Sequence, residues 1–246
     1  MNINQGIIMK RIFLALIIMV SVLAVQAKTL VVYYSYTNNV HNIVTELTKQ
    51  IEADVVRIEP AEKGLDYAAN NYAIGSAQIS AIRNNPNDAV SYPAIDPVNV
   101  NLADYDCIII GVPLWWSNMA APLQTYLFHN GDAMTGKKIG LIVSSASSGI
   151  NSVESDAKRL IPNGDFLSPS LWIRSSQTSN AASMISQWLK KIGYDTIARL
   201  DDIPTDQNIG EYTIFSISGA AVAKDALSMQ NLNKGLYIVN GKKILK

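Results

Sequence analysis

The sequence predicts an α/β fold in which a parallel β-sheet is covered by helices on both faces. Strand and helix patterns alternate along residues 28–198, and this alternation is typical of βαβ units. Three of the strands are largely unbroken apolar runs, as expected where both faces of a sheet are buried. We therefore predict a doubly wound, five-stranded parallel sheet in one domain, followed by a small C-terminal β appendage.

The composition excludes several functional classes. Lys and Arg number 20, and so do Asp and Glu, so no basic excess favours nucleic-acid binding. Cys107 is the only cysteine and lies in an apolar strand, which predicts a buried hydrophobic side chain rather than a reactive thiol. With only His41 and His129 beside it, the chain lacks the Cys/His spacing of a metal site.

The N-terminus has the pattern of an export signal. Lys10 and Arg11 precede an apolar run that ends in the small-residue sequence Val25-Gln26-Ala27. This run falls short of the ~20 residues that span a bilayer, and a cleavage-like site follows it. We therefore predict a signal peptide over residues 1–27, with a retained membrane anchor as the alternative.

The elements of the α/β unit follow from the spacing of apolar residues, which alternate or run together in strands and recur every three or four residues in helices. The predicted strands cover residues 30–34, 54–59, 107–112, 138–144 and 169–174. The predicted helices cover residues 40–51, 65–83, 152–161 and 184–192.

A long connection, residues 60–105, joins the second and third strands. Connections of this length usually have a function or cover something. Tyr72, Arg83 and Tyr92 within it are candidates for the substrate-facing side of a site, and a surface or packing role is the alternative.

The sequence pattern of residues 199–246 differs from that of the α/β unit. Asp201-Asp202-Ile203-Pro204 is typical of a linker, and residues 212–218 and 235–239 have strand patterns. Asn240-Gly241 predicts a two-residue hairpin turn. These residues therefore predict a separate β appendage.

The first candidate binding loop joins the first strand to an amphipathic helix. Hydroxyl side chains, the backbone amides of a turn and the positive end of a helix dipole together favour an anion such as a phosphate monoester. An ordinary turn with helix-capping residues is the alternative. The candidate ligands are Ser35, Tyr36, Thr37, Asn38, Asn39 and Val40.

The second candidate loop follows the third strand and contains two adjacent tryptophans. Such a pair can form a flat apolar wall for an aromatic ligand, with stacking that contributes about 1 kcal/mol beyond burial. The alternative is that one of the two packs under the following helix. The candidate residues are Pro113, Leu114, Trp115, Trp116 and Ser117.

The third candidate loop follows the next buried strand. Its small hydroxylated residues and glycine would let backbone amides approach the polar edge of a ring, and a flexible Ser-rich turn is the alternative. All three loops follow carboxyl ends of strands, where open α/β sheets bind their ligands. The candidate residues are Ser145, Ala146, Ser147, Ser148 and Gly149.

Residues 30–40, 105–126 and 139–150 resemble the three FMN-binding loops of the flavodoxin family. The first is similar to a family phosphate loop, Tyr-Ser-x-Thr-Gly-Asn-Thr. Asn38 stands at the usual glycine, which Asn can replace because it tolerates left-handed backbone. Val40 stands at a phosphate-contacting hydroxyl residue, so we expect FMN binding to weaken by about 1 kcal/mol for the lost hydrogen bond.

The second loop is similar to the family's Pro-x-Trp pattern, which Pro113, Leu114 and Trp115 match. The resemblance therefore implies that Trp115 is the wall for the flavin and that Trp116 packs. It also implies strand order 2-1-3-4-5 and a non-covalent FMN that carries the redox chemistry, without a catalytic side chain.

Three functions remain open at this point. The first is an FMN-dependent oxidoreductase of the NAD(P)H–quinone-reductase type, acting on quinones or similar small molecules. The second is an electron carrier for a protein partner, and the third is a non-redox binding module with a repurposed pocket. Residues 28–195 contain 12 Lys and Arg against 15 Asp and Glu, a weak field for steering a protein partner, which favours the first.

The C-terminal residues 232–243 resemble short β modules on exported proteins of some Gram-negative bacteria, part of which are sorting signals. Together with the export signal, this resemblance predicts a periplasmic or cell-surface protein in such a bacterium. A passive appendage is the alternative. A chain without residues 199–246 that localises unchanged would rule out the sorting role.

Overall fold

A computed structural model describes residues 27–197 and, beyond them, only four strands between residues 214 and 245. The predicted signal peptide, apart from Ala27, and the predicted linker at 201–204 lie outside the described residues. The chain divides between Asp202 and Ile203 into two compact units. No helix among the described residues is long and apolar enough to cross a membrane.

The first unit is built on a parallel sheet with the spatial order β2-β1-β3-β5, and β5 pairs with both β6 and β7 on its far side. The predicted order 2-1-3-4-5 is therefore confirmed, with the fifth strand in two segments. Pro169 lies between these segments and has no N–H to donate to the sheet. The parallel strands are β1 (Thr29–Tyr33), β2 (Asp54–Arg57), β3 (Cys107–Trp115), β5 (Lys138–Ser145), β6 (Asp165–Phe166) and β7 (Leu171–Arg174), and the short β4 (Asn118–Met119) pairs antiparallel with β3.

Helices cover both faces of this sheet, as predicted. One apolar cluster joins the sheet to α2, α3 and α4 through residues such as Ile79, Leu123 and Val153. The other joins it to α1 and α5 through residues such as Ile43 and Ile185. The helices are α1 (Asn39–Leu47), α2 (Ala69–Asn84), α3 (Ala121–Asn130), α4 (Asn151–Leu160), α5 (Ala181–Lys191) and the short α6 (Tyr194–Ile197).

Two helices differ from the sequence prediction. No bounds were predicted for helix α3, because all residues from Ala121 to Leu127 are buried and no polar face marks the helical repeat. Helix α2 begins at Ala69 rather than at Leu65, and its residues 70–72 have positive φ angles, which disrupt the helical pattern near its start.

Cys107 is fully buried in β3, and burial raises the pKa of its thiol to about 12. This confirms the prediction of a hydrophobic rather than a reactive cysteine.

The second unit contains an antiparallel sheet of order β11-β10-β8-β9. Val239 pairs with Lys242, which leaves the two residues expected for the Asn-Gly turn between them. The strands are β8 (Ile214–Ser216), β9 (Ala221–Ala223), β10 (Leu236–Val239) and β11 (Lys242–Leu245).

Candidate functional site

The three predicted loops follow the carboxyl ends of the adjacent strands β1, β3 and β5 and meet around one cleft of about 120 Å³. Parallel strands place their carboxyl ends at the same edge of the sheet, so sequence-distant loops become neighbours there. The cleft is lined by Ser35, Tyr36, Thr37, Asn39, Val40, Pro113, Leu114, Trp115, Ser144, Ser145, Ala146 and Ser175. We call it the polar cleft.

The loop between β1 and α1 presents a run of unpaired backbone donors. Asn38 has φ 61°, so the chain turns through a left-handed residue before α1 begins at Asn39. Among the described residues, the amides of residues 36–40 donate no hydrogen bond. The next amide, that of His41, donates to Ser35 Oγ at 3.2 Å. Five consecutive N–H groups at a helix N-terminus form an anion-binding arrangement.

This arrangement works without a cationic side chain, since no Lys or Arg lines the polar cleft within the described part of the chain. Arg57 Nη2 donates to the Ser35 carbonyl at 3.0 Å, but its guanidinium also pairs with Glu59 at 2.6 Å. Its charge is therefore largely compensated. An anion in this cleft would therefore be held by backbone amides and the helix dipole.

Val40 was expected to weaken the site through its missing hydroxyl. Its side chain is only 1% exposed and packs in the apolar cluster under α1, close to Gly111. Val40 also lines the polar cleft, and its backbone amide is one of the unpaired donors. Its isopropyl group is a packing element.

Trp115 and Trp116 lie at a tight hairpin. Trp115 pairs with Asn118 across a two-residue turn between β3 and the short antiparallel strand β4 (Asn118–Met119). Trp116 and Ser117 both have positive φ angles, 45° and 64°, as in a type I′ turn. Such turns favour Asn-Gly, and each non-glycine residue in this region is destabilised by about 1–2 kcal/mol.

The two tryptophans have different surroundings. The Trp115 ring is half-buried. Its centroid lies 4.8 Å from that of the Tyr67 ring and 5.5 Å from that of the Tyr34 ring. Trp116 is 40% exposed and lies on helix α2, where a Cβ on Gly75 would come within 2.9 Å of its ring. Of the pair, only Trp115 lines the polar cleft, and Ser117 lines neither this cleft nor the cavity described next.

A second cavity of about 240 Å³ adjoins the polar cleft, and we call it the aromatic cavity. Its lining is mainly apolar, and burial raises the pKa of Tyr67, which keeps that hydroxyl uncharged. Four residues, Tyr36, Thr37, Leu114 and Trp115, line both spaces. The aromatic cavity is lined by these four and by Tyr67, Tyr72, Gly75 and Trp116.

The third loop contributes less than predicted. The Ser145 hydroxyl accepts a hydrogen bond from Trp172 Nε1 and donates one to the Ser148 carbonyl, both at 2.8 Å, so it supports the loop. Ala146 lines the polar cleft, whereas residues 147–149 are exposed and do not. Ser147, Ser148 and Gly149 are therefore not brought to the cleft in this conformation.

Several lining residues were missed from the sequence. Ser144 and Ser175 follow the same rule as the predicted loops, because they lie at the carboxyl ends of β5 and β7. Tyr67 and Gly75 come from the long connection, and no local pattern marks them. Tyr92, considered for this site, instead packs on Phe128 and donates to the Pro86 carbonyl.

The match to known proteins is decisive at the family level. The flavodoxin family model matches residues 28–192. This chain belongs to the flavodoxin family. Membership implies FMN as the cofactor. Within the described residues, no cluster of His, Cys, Asp and Glu could hold a metal ion.

Solved structures of similar proteins support this assignment. A presumed flavoprotein from Bacteroides eggerthii is 25% identical, with a TM-score of 0.54 over 68% of this chain and 98% of that one. Another from Bacteroides uniformis is 25% identical, with a TM-score of 0.53 over 67% and 99%. A Lactobacillus acidophilus flavoprotein, solved in complex with FMN, shares the fold at 20% identity and a TM-score of 0.50, over 64% and 99%.

The left-handed backbone at Asn38 gives a stability prediction. Asn38→Ala should lower the free energy of unfolding by about 1 kcal/mol, because a Cβ without a compensating polar group disfavours this conformation. Asn38→Gly should be more stable than Asn38→Ala. Urea unfolding of the three proteins measures the difference, and equal stability of the Ala and Gly variants would contradict the left-handed turn.

Proposed function

We propose that this flavodoxin binds FMN non-covalently and passes electrons from a donor to a small, uncharged, planar acceptor such as a quinone. The observation that carries the proposal is the run of five unpaired amides directly beside an aromatic cavity. A ligand with a phosphate at one end and a flat ring at the other matches both features. FMN, when bound, supplies the electron-transfer chemistry.

The phosphate of FMN fits the loop between β1 and α1. The amides of residues 36–40 would donate to its oxygens, and the N-terminus of α1 would stabilise its charge. Thr37 can add a side-chain donor, because its Oγ1 accepts from Asn39 Nδ2 at 3.3 Å and keeps its own hydrogen for the ligand. No metal or lysine is required.

The flavin ring would lie against Trp115 at the boundary of the two spaces. Trp115 is held by Tyr34 and Tyr67, and burial raises the pKa of both tyrosines, so this wall stays neutral. Pro113, Leu114 and Ala146 line the same cleft, and their backbone would be available to the edge of the ring. The chain thus provides a rigid, uncharged surface for a planar group.

The aromatic cavity favours a small acceptor over a protein partner. Its volume, about 240 Å³, lies below the ~300 Å³ at which pockets for drug-sized ligands begin, so it suits one or two rings rather than a dinucleotide. None of its lining residues carries a charge. Tyr72 and Trp116 are exposed at 51% and 40% and can cover a flat ligand.

The cofactor half of the proposal is tested by comparing FMN with riboflavin, which lacks the phosphate. FMN should bind at least about tenfold more tightly, since each hydrogen bond to a charged group contributes about 1.5–3 kcal/mol. Thr37→Val should weaken FMN binding about tenfold by the same reasoning and leave riboflavin unchanged.

Thr45→Val is the matched control, because Thr45 is an exposed residue of α1 whose hydroxyl donates to the His41 carbonyl. Quenching of flavin fluorescence gives the dissociation constants. Equal affinity for FMN and riboflavin would remove the phosphate site. Absence of binding to either would remove the flavin and leave the binding-module function.

The acceptor half is tested in the FMN-loaded protein, reduced chemically and mixed with a naphthoquinone in a stopped-flow instrument. Tyr72→Ala should slow reoxidation roughly three- to tenfold, because one aromatic contact contributes about 0.5–1.5 kcal/mol. Val90→Ala is the control, since Val90 is 91% exposed and lines neither space. An unchanged reoxidation rate in Tyr72→Ala would favour the electron-carrier function. In a separate assay, reduction of the FMN-loaded protein by NADH or NADPH would identify the donor.

A further inference from the structure

The Trp116–Ser117 turn is held by side chains from outside the hairpin. Arg83, on helix α2, donates from Nε to Asn118 Oδ1 at 2.6 Å and from Nη2 to the Trp116 carbonyl oxygen. One guanidinium therefore bonds to both sides of the turn. The planar, forked geometry of Arg suits this double contact, which Lys could not reproduce.

A side chain of helix α4 also holds this hairpin. Asp156 is 7% exposed, and its Oδ2 accepts from Asn118 Nδ2 at 2.8 Å and from the Met119 amide at 2.9 Å. The Met119 carbonyl in turn accepts from Gln124 Nε2 at 2.7 Å. Both backbone groups of Met119 are thus fixed by side chains of other elements.

We propose that Arg83, Asn118 and Asp156 form a brace whose role is to position the flavin wall. Strained non-glycine turns persist where their surroundings over-determine them, and they concentrate at functional sites. The brace keeps Trp116 and Ser117 left-handed and so fixes Trp115, one residue away, against the polar cleft. The inference rests on the proposed FMN binding, because positioning is measured through the flavin.

The brace also connects the aromatic cavity, proposed for the acceptor, to the Trp115 wall of the polar cleft, proposed for FMN. Arg83 belongs to the same helix as Tyr72 and Gly75, which line the aromatic cavity. The absent side chain at Gly75 lets the Trp116 ring lie on this helix. A displacement of α2 would therefore act on the Trp115 wall through Arg83.

Arg83→Met tests the brace, because Arg83 is exposed and its loss should not prevent folding. We expect the dissociation constants of FMN and riboflavin to rise by the same factor, about tenfold, which corresponds to the strain of one left-handed residue. Their ratio should stay constant because the phosphate amides are unaltered. Lys49→Met is the control, since Lys49 forms an exposed ion pair with Glu46 and lines neither space.

A second substitution separates positioning from direct contact. Ser117→Gly relieves the left-handed strain at φ 64°, so it should return the affinity of Arg83→Met to within about threefold of the parent. If Arg83 contacted the flavin directly, this substitution would not restore binding, and the brace would be overturned. Unchanged flavin affinity in Arg83→Met would overturn it as well.

Ligand-free spectra keep the two proposals distinguishable. In the protein without flavin, Arg83→Met should shift or broaden the amide signals of residues 116–119, and Ser117→Gly should sharpen them again. Failure of the parent protein to bind FMN would remove the proposed function, while these signals would still decide the brace. Unshifted signals at residues 116–119 would overturn the brace even if FMN binds.

Discussion

Five consecutive backbone N–H groups, those of residues 36–40, are the constraint around which the rest of the site is arranged. Donors of this kind cost free energy when they lack an acceptor, and a helix N-terminus cannot satisfy them internally. A protein that keeps them must leave them to solvent or to an anion. The left-handed Asn38 lies in the middle of this run, directly before α1 begins.

The parallel sheet explains why the other parts of the site lie beside these amides. Strands β1, β3 and β5 are neighbours, so the Trp115 hairpin and the Ser144–Ala146 backbone meet the loop before α1. Each part is simple by itself. Their convergence gives one end suited to a phosphate and another suited to a flat ring.

Strain at Trp116–Ser117 is the feature that a stable fold alone does not require. An Asn-Gly turn would close the same hairpin with less strain. The chain instead places Trp116 and Ser117 there and holds the turn with hydrogen bonds from α2 and α4. The aromatic wall is thus fixed by contacts between elements that are far apart in sequence.

This difference also explains what the sequence could and could not predict. The sheet order and the three loops follow from local patterns and from the resemblance, and the structure confirms the order and the convergence of those loops at one edge. The bounds of helix α3 were not predicted because burial on all sides removes the alternation of polar and apolar faces. Tyr67 and Gly75 were missed because their role depends on tertiary contacts with Trp115 and Trp116, which no local spacing encodes.

The central claim is that a phosphate monoester binds the amides of residues 36–40. Amide ¹H–¹⁵N spectra of the protein test it directly during titration with FMN and, separately, with riboflavin. The account predicts that the signals of residues 36–40 move downfield with FMN and move much less with riboflavin, which lacks the phosphate. FMN that binds without moving these five signals would contradict it.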